Sequence, residues 1–328
     1  MARFLLRRLS LMMLTVFAIT VISFFIIVLP PGDFVDRLVL EANQYGEVFE
    51  QHEIDDLRRI YGLDRSAVEQ YIIWMRNILL RGDFGYSFGW DVPVSELIGQ
   101  RLGMTTLLSI VTLLFIWIVA IPIGIYSAVR KYSLGDYVAT FVGFIGLAIP
   151  NFLLALVLLY VSFRYLGQSV GGLFSPEYVN APWSVDRMLD LLSHLWIPTI
   201  VLGTAGTAEV IRKIRANLLD ELHQPYVLTA RAKGVPSTRL LLKYPVRHSL
   251  NPFVSDLNDL FVKIISGETI VAVVLGLQTT GPLLLQALKE EDLYLASSLI
   301  MFLSFLAVLG TLFSDLCLMA LDPRIRRQ

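Results

Sequence analysis

The chain has 328 residues, of which 55% are hydrophobic and 17% charged, and its formal net charge is −1. A mean hydropathy of +0.64 is too apolar for a water-soluble fold of this length, so the composition predicts an all-α integral membrane protein. The single cysteine, Cys317, excludes an internal disulfide framework and a cysteine-based zinc site.

Six apolar runs are long enough to cross a hydrocarbon core of roughly 30 Å as helices. The first, residues 9–29, follows a basic N-terminus without a small-residue cleavage site, so we expect a retained span within 1–30 rather than a signal peptide. A long hydrophilic segment, 31–103, separates it from a five-helix core at 104–320 and a tail at 321–328. Within that core, spans are predicted near residues 104–129, 136–163, 195–211, 253–277 and 296–320.

The positions of lysine and arginine predict the orientation, because basic loops remain in the cytoplasm. Residues 31–103 contain thirteen acidic and seven arginine residues, a net charge of −6, which suits an outer, periplasmic segment. Residues 212–247 contain eight basic and two acidic residues, a net charge of +6. We therefore expect this loop and both termini, which are also basic, in the cytoplasm.

The outer segment is predicted to contain two amphipathic helices, near residues 47–60 and 67–80. Apolar side chains recur there at helical spacing, and the run Tyr61-Gly62-Leu63-Asp64 separates the two stretches. Two alternatives stay open: the helices lie on the membrane surface, or they form a small packed subdomain.

A short helix is predicted in the basic cytoplasmic loop, close to Pro225. Proline is tolerated in a first helical turn, residues 230–233 are good helix formers, and Gly234 suits the end of a helix. The small residues Ala230, Ala232 and Gly234 would let a partner approach closely, while Arg231 and Lys233 can pair with acidic groups. The alternative is a basic connector that only follows the charge rule.

The run Tyr226, Thr229, Ala230, Arg231, Ala232, Lys233 and Gly234 resembles the ATPase-docking loop of permease subunits in ATP-binding-cassette (ABC) importers, in the dipeptide/oligopeptide (and nickel) permease family. Further segments are similar to landmarks of that family and occur in the same order. They are Leu29-Pro30-Pro31-Gly32-Asp33, Gly82-Asp83-Phe84-Gly85-Tyr86-Ser87, Gly146-Leu147-Ala148-Ile149-Pro150-Asn151 and Leu321-Asp322-Pro323-Arg324.

The resemblance implies a type I ABC importer permease fold with six transmembrane helices, in a bacterial inner membrane. It also implies a second homologous permease subunit, two ABC ATPase subunits that bind ATP and magnesium, and a soluble solute-binding protein. The seven residues of the docking run would then be the ATPase-coupling residues. Beyond Gly267-Glu268-Thr269 the chain departs from the usual Pro-Gly-Leu-Gly of the peptide branch, so oligopeptides and oligosaccharides both stay open as solutes.

Three polar residues are candidates for a solute pathway. Asn151 follows Pro150, where it is suited either to bind a solute or to satisfy the interrupted backbone. Thr204 lies in the small-residue run 203–208, which favours close helix packing over pore lining. Glu268 is predicted within an apolar span, where a charge needs a partner or water.

Motifs for nucleotide binding or catalysis are missing from the sequence. It contains no Gly-x-x-x-x-Gly-Lys-Ser/Thr loop and no His-Glu-x-x-His, and its four histidines are scattered. We therefore expect a transport subunit without a catalytic site, cofactor, metal or nucleic-acid partner of its own. The alternatives are an ion-coupled secondary transporter and, less favoured, a membrane-embedded hydrolase or transferase.

Overall fold

A computed structural model describes residues 2–46, 48–167, 171–255 and 257–321, without the side chains of 2–5, 255, 257–259, 261, 266–268, 320 and 321. The described chain forms two compact units. The first comprises the residues up to Thr105 together with Thr279–Val308, and the second comprises Thr106–Gln278 with the residues from Leu309 onward. Helices make up most of both units, in agreement with the predicted all-α class.

The first unit begins with helices α1 (Ala2–Val28), α2 (Phe34–Gln44), α3 (Gln51–Tyr61) and α4 (Ala67–Arg81). A short antiparallel hairpin follows, in which β1 (Tyr86–Ser87) pairs with β2 (Val92–Pro93). The start of α5 (Val94–Val129), the whole of α13 (Thr280–Lys289) and the first part of α14 (Leu293–Leu321) complete the unit.

Local sequence chemistry sets the ends of the helices in the outer segment. Ser66 caps α4 by accepting a hydrogen bond from the Glu69 backbone amide, and Gly62 and Gly82 end α3 and α4 in the left-handed conformation. Helices α3 and α4 therefore lie where the amphipathic spacing predicts them. Helix α2, which begins at a capping box formed by Asp33 and Asp36, was not predicted.

Helix α4 packs within the first unit through two aromatic side chains. Trp74 is 2% exposed, lies 5.5 Å from the ring of Phe24 in α1, and donates a hydrogen bond of 3.2 Å to the Phe84 carbonyl. Tyr71 is also buried, and its hydroxyl lies 3.1 Å from that of Thr20. The opposite side of α4 leaves several apolar side chains exposed, namely Ile72, Leu79 and Leu80. One face of α4 is thus packed, as the subdomain alternative requires, while the other is suited to a membrane surface.

A buried carboxylate joins the hairpin to the start of α14. Asp292 is 0% exposed and accepts hydrogen bonds from the Ser87 hydroxyl, 2.5 Å away, and from the Gly89 backbone amide, 3.3 Å away. It also accepts a hydrogen bond of 3.1 Å from the Leu295 amide, which satisfies one free donor of the first turn of α14.

The second unit contains the rest of α5, then α6 (Leu134–Ala148), α7 (Asn151–Val161) with a π-helical turn at Ser162–Leu166, and α8 (Val185–Leu222). Three short helices follow: α9 (Pro225–Ala232), α10 (Ser237–Lys243) and α11 (Pro245–Ser255). Helix α12 (Leu257–Leu275) and the end of α14 complete it. Its main buried cluster joins α5 and α8 to α11 and α12 through Ile116, Ala120, Val210, Ile214, Phe253 and Leu260.

Small residues let helices of the second unit pack closely. A Cβ atom on Gly203 would lie 2.6 Å from the Phe115 ring, and one on Gly146 would lie 2.5 Å from Thr204 Cγ2. A Cβ on Gly206 would meet Ile116 at 2.8 Å. The small-residue run of α8 therefore makes the close helix contacts that the sequence predicts.

Four described helices are long and apolar enough to cross a membrane: Leu6–Val28, Val94–Val129, Val185–Leu222 and Leu293–Met319. Two further pairs meet the same criterion only when each is taken together, Leu134–Ala148 with Asn151–Leu166 and Thr269–Leu275 with Thr280–Lys289. Up to six spans are thus compatible with the fold, and the chain is a multi-pass membrane protein.

The predicted continuous span at 136–163 is wrong in one respect, because the chain bends by 103° between α6 and α7. Pro150 disfavours a helical conformation for the residue before it, and Ile149 is accordingly extended, with φ −82° and ψ 123°. Pro122 and Pro198, by contrast, lie inside α5 and α8 without ending either helix.

Candidate functional site

The predicted short helix of the basic loop is present as α9. Pro225 occupies its first turn, and the helix runs for eight residues to Ala232. Gly234 follows with φ +75°; its amide donates to the Arg231 carbonyl at 3.0 Å, and the Val235 amide donates to the Ala230 carbonyl at 3.3 Å. This pair of hydrogen bonds is a Schellman motif, which explains why glycine stands at this position.

One face of α9 is buried against the chain that follows it. Val227 is 0% exposed and Ala230 is 8% exposed, and both pack with Leu240 of α10, alongside Val235 and Tyr244. Ala230 therefore does not contribute to an exposed docking surface, contrary to the expectation that its small size serves a partner. Its size instead allows α9 to lie close to α10.

Tyr226 connects α9 to α8, which precedes it, and to α11. Its hydroxyl donates a hydrogen bond to the Glu221 carboxylate in the last turn of α8, and its ring lies 5.5 Å, edge to face, from the imidazole of His248 in α11. Burial and the neighbouring Glu221 carboxylate both raise the pKa of Tyr226, so the phenol stays protonated and remains a donor. Helix α9 is thus held to α8 and α11 by polar and aromatic contacts.

The opposite face of α9 is exposed. It carries Leu228, Thr229, Arg231 and Ala232, and the exposed residues Lys233 and Gly234 continue it. The Thr229 hydroxyl donates to the Pro225 carbonyl at 2.9 Å, so it is satisfied within the helix. Arg231 and Lys233 form no ion pair with any residue that the structure describes. We call these six residues the α9 surface; it is small, basic at its C-terminal end, and open to a partner.

The three candidate pathway residues are not brought together by any observed contact. Asn151 is the first residue of α7, and its side chain forms no hydrogen bond to another described residue. The Thr204 hydroxyl donates to the Ile200 carbonyl of its own helix, while the side chain also lines a cleft with Phe115 and Thr207. The side chain of Glu268 lies outside the described residues. Their role in a pathway stays a prediction.

An ion pair that the sequence analysis missed joins α6 to α8. Arg215 donates hydrogen bonds of 2.9 Å from Nε and from a terminal nitrogen to the two carboxylate oxygens of Asp136. The Tyr132 backbone amide donates to the same carboxylate, also at 2.9 Å. The only sequence signal was a lone acidic residue at the edge of an apolar run, which does not identify its partner.

The described part of the chain contains no group of three or more histidine, cysteine or acidic side chains arranged to hold a metal ion.

Comparison with known proteins identifies the family. The family described as "Binding-protein-dependent transport system inner membrane component" matches residues 120–327, and the family for the corresponding N-terminal part of such membrane components matches residues 1–111. Curated relatives are also similar over nearly the whole chain. The oligopeptide transport system permease protein AppB of Bacillus subtilis is 34% identical over 327 residues, covering 99% of each chain.

Two more relatives are similar over nearly the whole chain. A putative peptide permease protein of Brucella ovis is 31% identical over 328 residues, covering 99% of each chain, and the dipeptide transport system permease protein DppB of Escherichia coli is 28% identical over 344 aligned positions, covering 100% of each. The resemblance seen in the sequence is therefore confirmed: the chain belongs to the family of binding-protein-dependent transport system inner membrane components, the permeases of ABC importers.

Proposed function

We propose that this chain is one of two permease subunits of an ATP-driven peptide importer in a bacterial inner membrane. It has six spans with both termini in the cytoplasm and contributes half of the translocation pathway. Two ABC ATPase subunits, which bind ATP and magnesium, lie below it, and a solute-binding protein delivers peptide from outside. Relatives named for oligopeptide and dipeptide transport favour a peptide over an oligosaccharide.

This proposal rests mainly on the exposure of the α9 surface. A docking element must be exposed and attached to the spans, and α9 is exposed on one face and hydrogen-bonded to α8 through Tyr226. Its exposed side offers Arg231 and Lys233, while its buried side and Tyr226 join it to α8. Closure of the ATPase dimer then pushes α9, and α8 transmits the movement into the membrane.

A substitution at Gly234 tests this role. Aspartate and asparagine both tolerate the left-handed conformation better than most residues, and a Cβ at this position meets nothing within 4 Å. Gly234→Asp adds a negative charge to the α9 surface. Gly234→Asn introduces a side chain of the same shape as aspartate but without the charge. We expect Gly234→Asp to lower ATP-dependent peptide uptake and ATPase stimulation by at least about tenfold in proteoliposomes, and Gly234→Asn to retain most of both.

Normal uptake by the Gly234→Asp variant would contradict a docking role for the α9 surface. Solute accumulation by the purified chain alone, driven by an imposed ion gradient without ATPase subunits, would instead support the secondary transporter. Competition of uptake by unlabelled oligopeptides, but not by oligosaccharides, is expected if the solute is a peptide.

A further inference from the structure

A cleft in the second unit is apolar along most of its length and cationic at one end. Helix α6 contributes Gly143, Phe144 and Leu147 to its walls, and α8 contributes Ile211. Arg212 and Arg215 of α8 line the same cleft. From Ala139 to Leu147, both of which line it, α6 rises about 12 Å at roughly 1.5 Å per residue. A hydrocarbon chain fits such a surface, and an anion fits the arginine end.

One of the two arginine charges at that end is not neutralised by a described residue. Arg215 directs two nitrogens at Asp136, but Arg212 is exposed and forms no ion pair with a described residue. The two stretches that the Asp136 pair joins, 127–136 and 209–215, together contain five basic and two acidic residues, a net charge of +3. An anionic ligand is therefore favoured there.

The apolar part of the cleft continues into a neighbouring depression. The two share Ala139, Gly143, Ala208 and Ile211, and the second extends along α5 past Phe115, Val119 and Ile123. Several apolar side chains of α6 in and beside the two depressions are exposed, including Phe141, Val142 and Phe144. An apolar floor this long next to an arginine end suits a ligand with an anionic head and a long tail.

We propose that this cleft binds an anionic phospholipid. Arg212 and the free edge of the Arg215 guanidinium contact the phosphate, Thr140 offers a hydroxyl beside it, and an acyl chain lies against Gly143, Phe144 and Leu147. The proposal requires only that the Arg212 end lies at a membrane surface, so it does not depend on which solute the importer carries.

Native mass spectrometry of the purified importer, exchanged into detergent with equal amounts of phosphatidylglycerol and phosphatidylcholine, tests the site. We expect preferential retention of phosphatidylglycerol and about fivefold weaker retention in Arg212→Gln. Arg239→Gln is the matched control, because Arg239 is also an exposed arginine and lies in α10, outside the cleft. Gly143→Leu, whose side chain fills the apolar part, is expected to weaken retention without loss of the arginines.

Several outcomes would overturn the proposal. Equal losses in Arg212→Gln and Arg239→Gln would indicate unspecific charge attraction, and equal retention of the two lipids would remove the headgroup selectivity. Displacement of the lipid by millimolar inorganic phosphate would identify a simple anion site. If the isolated chain retains lipid but the assembled importer does not, a second permease subunit covers the cleft instead. Thermal unfolding of each variant checks that it is folded.

Discussion

Arg215 and Asp136 form an ion pair whose two members are unequally buried: the carboxylate side chain is 3% exposed, and the guanidinium side chain is 28% exposed. The protein thus surrounds the anion almost completely and leaves the cation partly in contact with its environment. The cost of breaking the pair should therefore depend on which member is removed.

Removal of the arginine is expected to be the more damaging change. Arg215→Gln leaves a buried carboxylate without its cation and should lower the free energy of unfolding by about 3 kcal/mol. Asp136→Asn leaves a cation that retains some solvation and should cost about 1–2 kcal/mol. Denaturation in mixed micelles measures both values, and the double variant completes a mutant cycle. A larger cost for Asp136→Asn, or strict additivity of the two changes, would contradict this account.

The hydrogen bond by which Tyr226 attaches α9 to α8 can be removed without changing the charge of α9. Tyr226→Phe keeps the ring beside His248 and removes the hydrogen bond to Glu221, which we expect to contribute at most about 1 kcal/mol because the site is partly exposed. Amide hydrogen exchange in α9 should become up to about fivefold faster. Tyr137→Phe, at a more exposed tyrosine, serves as the control and should leave α9 unchanged.

The same contact has a predicted pH dependence. Because the pKa of Tyr226 is raised in the folded state, its stabilising effect is fully present below the unfolded pKa of about 10 and is lost only as the pH rises through the higher folded value. The difference between Tyr226→Phe and the unmodified chain should thus be constant from pH 6 to 9. A difference that disappears within that range would mean that another group controls the contact.

The close contacts of α8 predict opposite effects for the same substitution at two glycines. Alanine is normally favoured over glycine inside a helix by about 1 kcal/mol. At Gly143 the new methyl group would lie 3.5 Å from Ala208 Cβ, an ordinary contact, so Gly143→Ala should not reduce stability. At Gly203 it would lie 2.6 Å from the Phe115 ring, so Gly203→Ala should cost about 1–3 kcal/mol. Equal stabilities of the two variants would show that α5 and α8 are not packed this closely.

The contribution of Asp292 to stability is expected to change with pH in the opposite direction to that of most carboxylates. Burial raises its pKa, so the stabilising contribution is present below the unfolded pKa of about 3.9 and is lost as the pH rises through the folded value. Asp292→Asn removes this dependence while preserving the shape of the side chain. The melting temperature of the variant, relative to the unmodified chain, should increase from pH 4 to pH 7; a decrease would contradict the burial argument.

Helix α9 shows what local sequence determines and what it does not. Proline in the first turn and glycine after the end predicted both its presence and its length, because these residues act through their own backbone conformations. The buried face was not predictable in the same way. Leu240 and Tyr244 come from the next helix and its end, and only the fold of that segment determines that Ala230 packs beneath them.

The bend between α6 and α7 and the Asp136–Arg215 ion pair were not predicted, for a related reason. Pro150 indicated an interruption, but the angle of 103° depends on how α6 and α7 pack against other helices. Asp136 and Arg215 are 79 positions apart; Asp136 looked like a lone acid at the edge of an apolar run, and Arg215 was one of eight basic residues in 212–247. Chain periodicity identifies which segments are apolar, but it does not identify which segments become neighbours.

The length of α8 has a mechanical consequence. Its 38 residues rise about 57 Å as one uninterrupted helix, well beyond the roughly 30 Å thickness of a hydrocarbon core. Gly203 and Gly206, where α8 packs closely on α5, lie near the middle of this helix, and Pro198 lies five residues before Gly203. If α8 tilts as one body about that contact, a displacement of a few ångströms at Glu221 would move the other arm of the helix in the opposite direction.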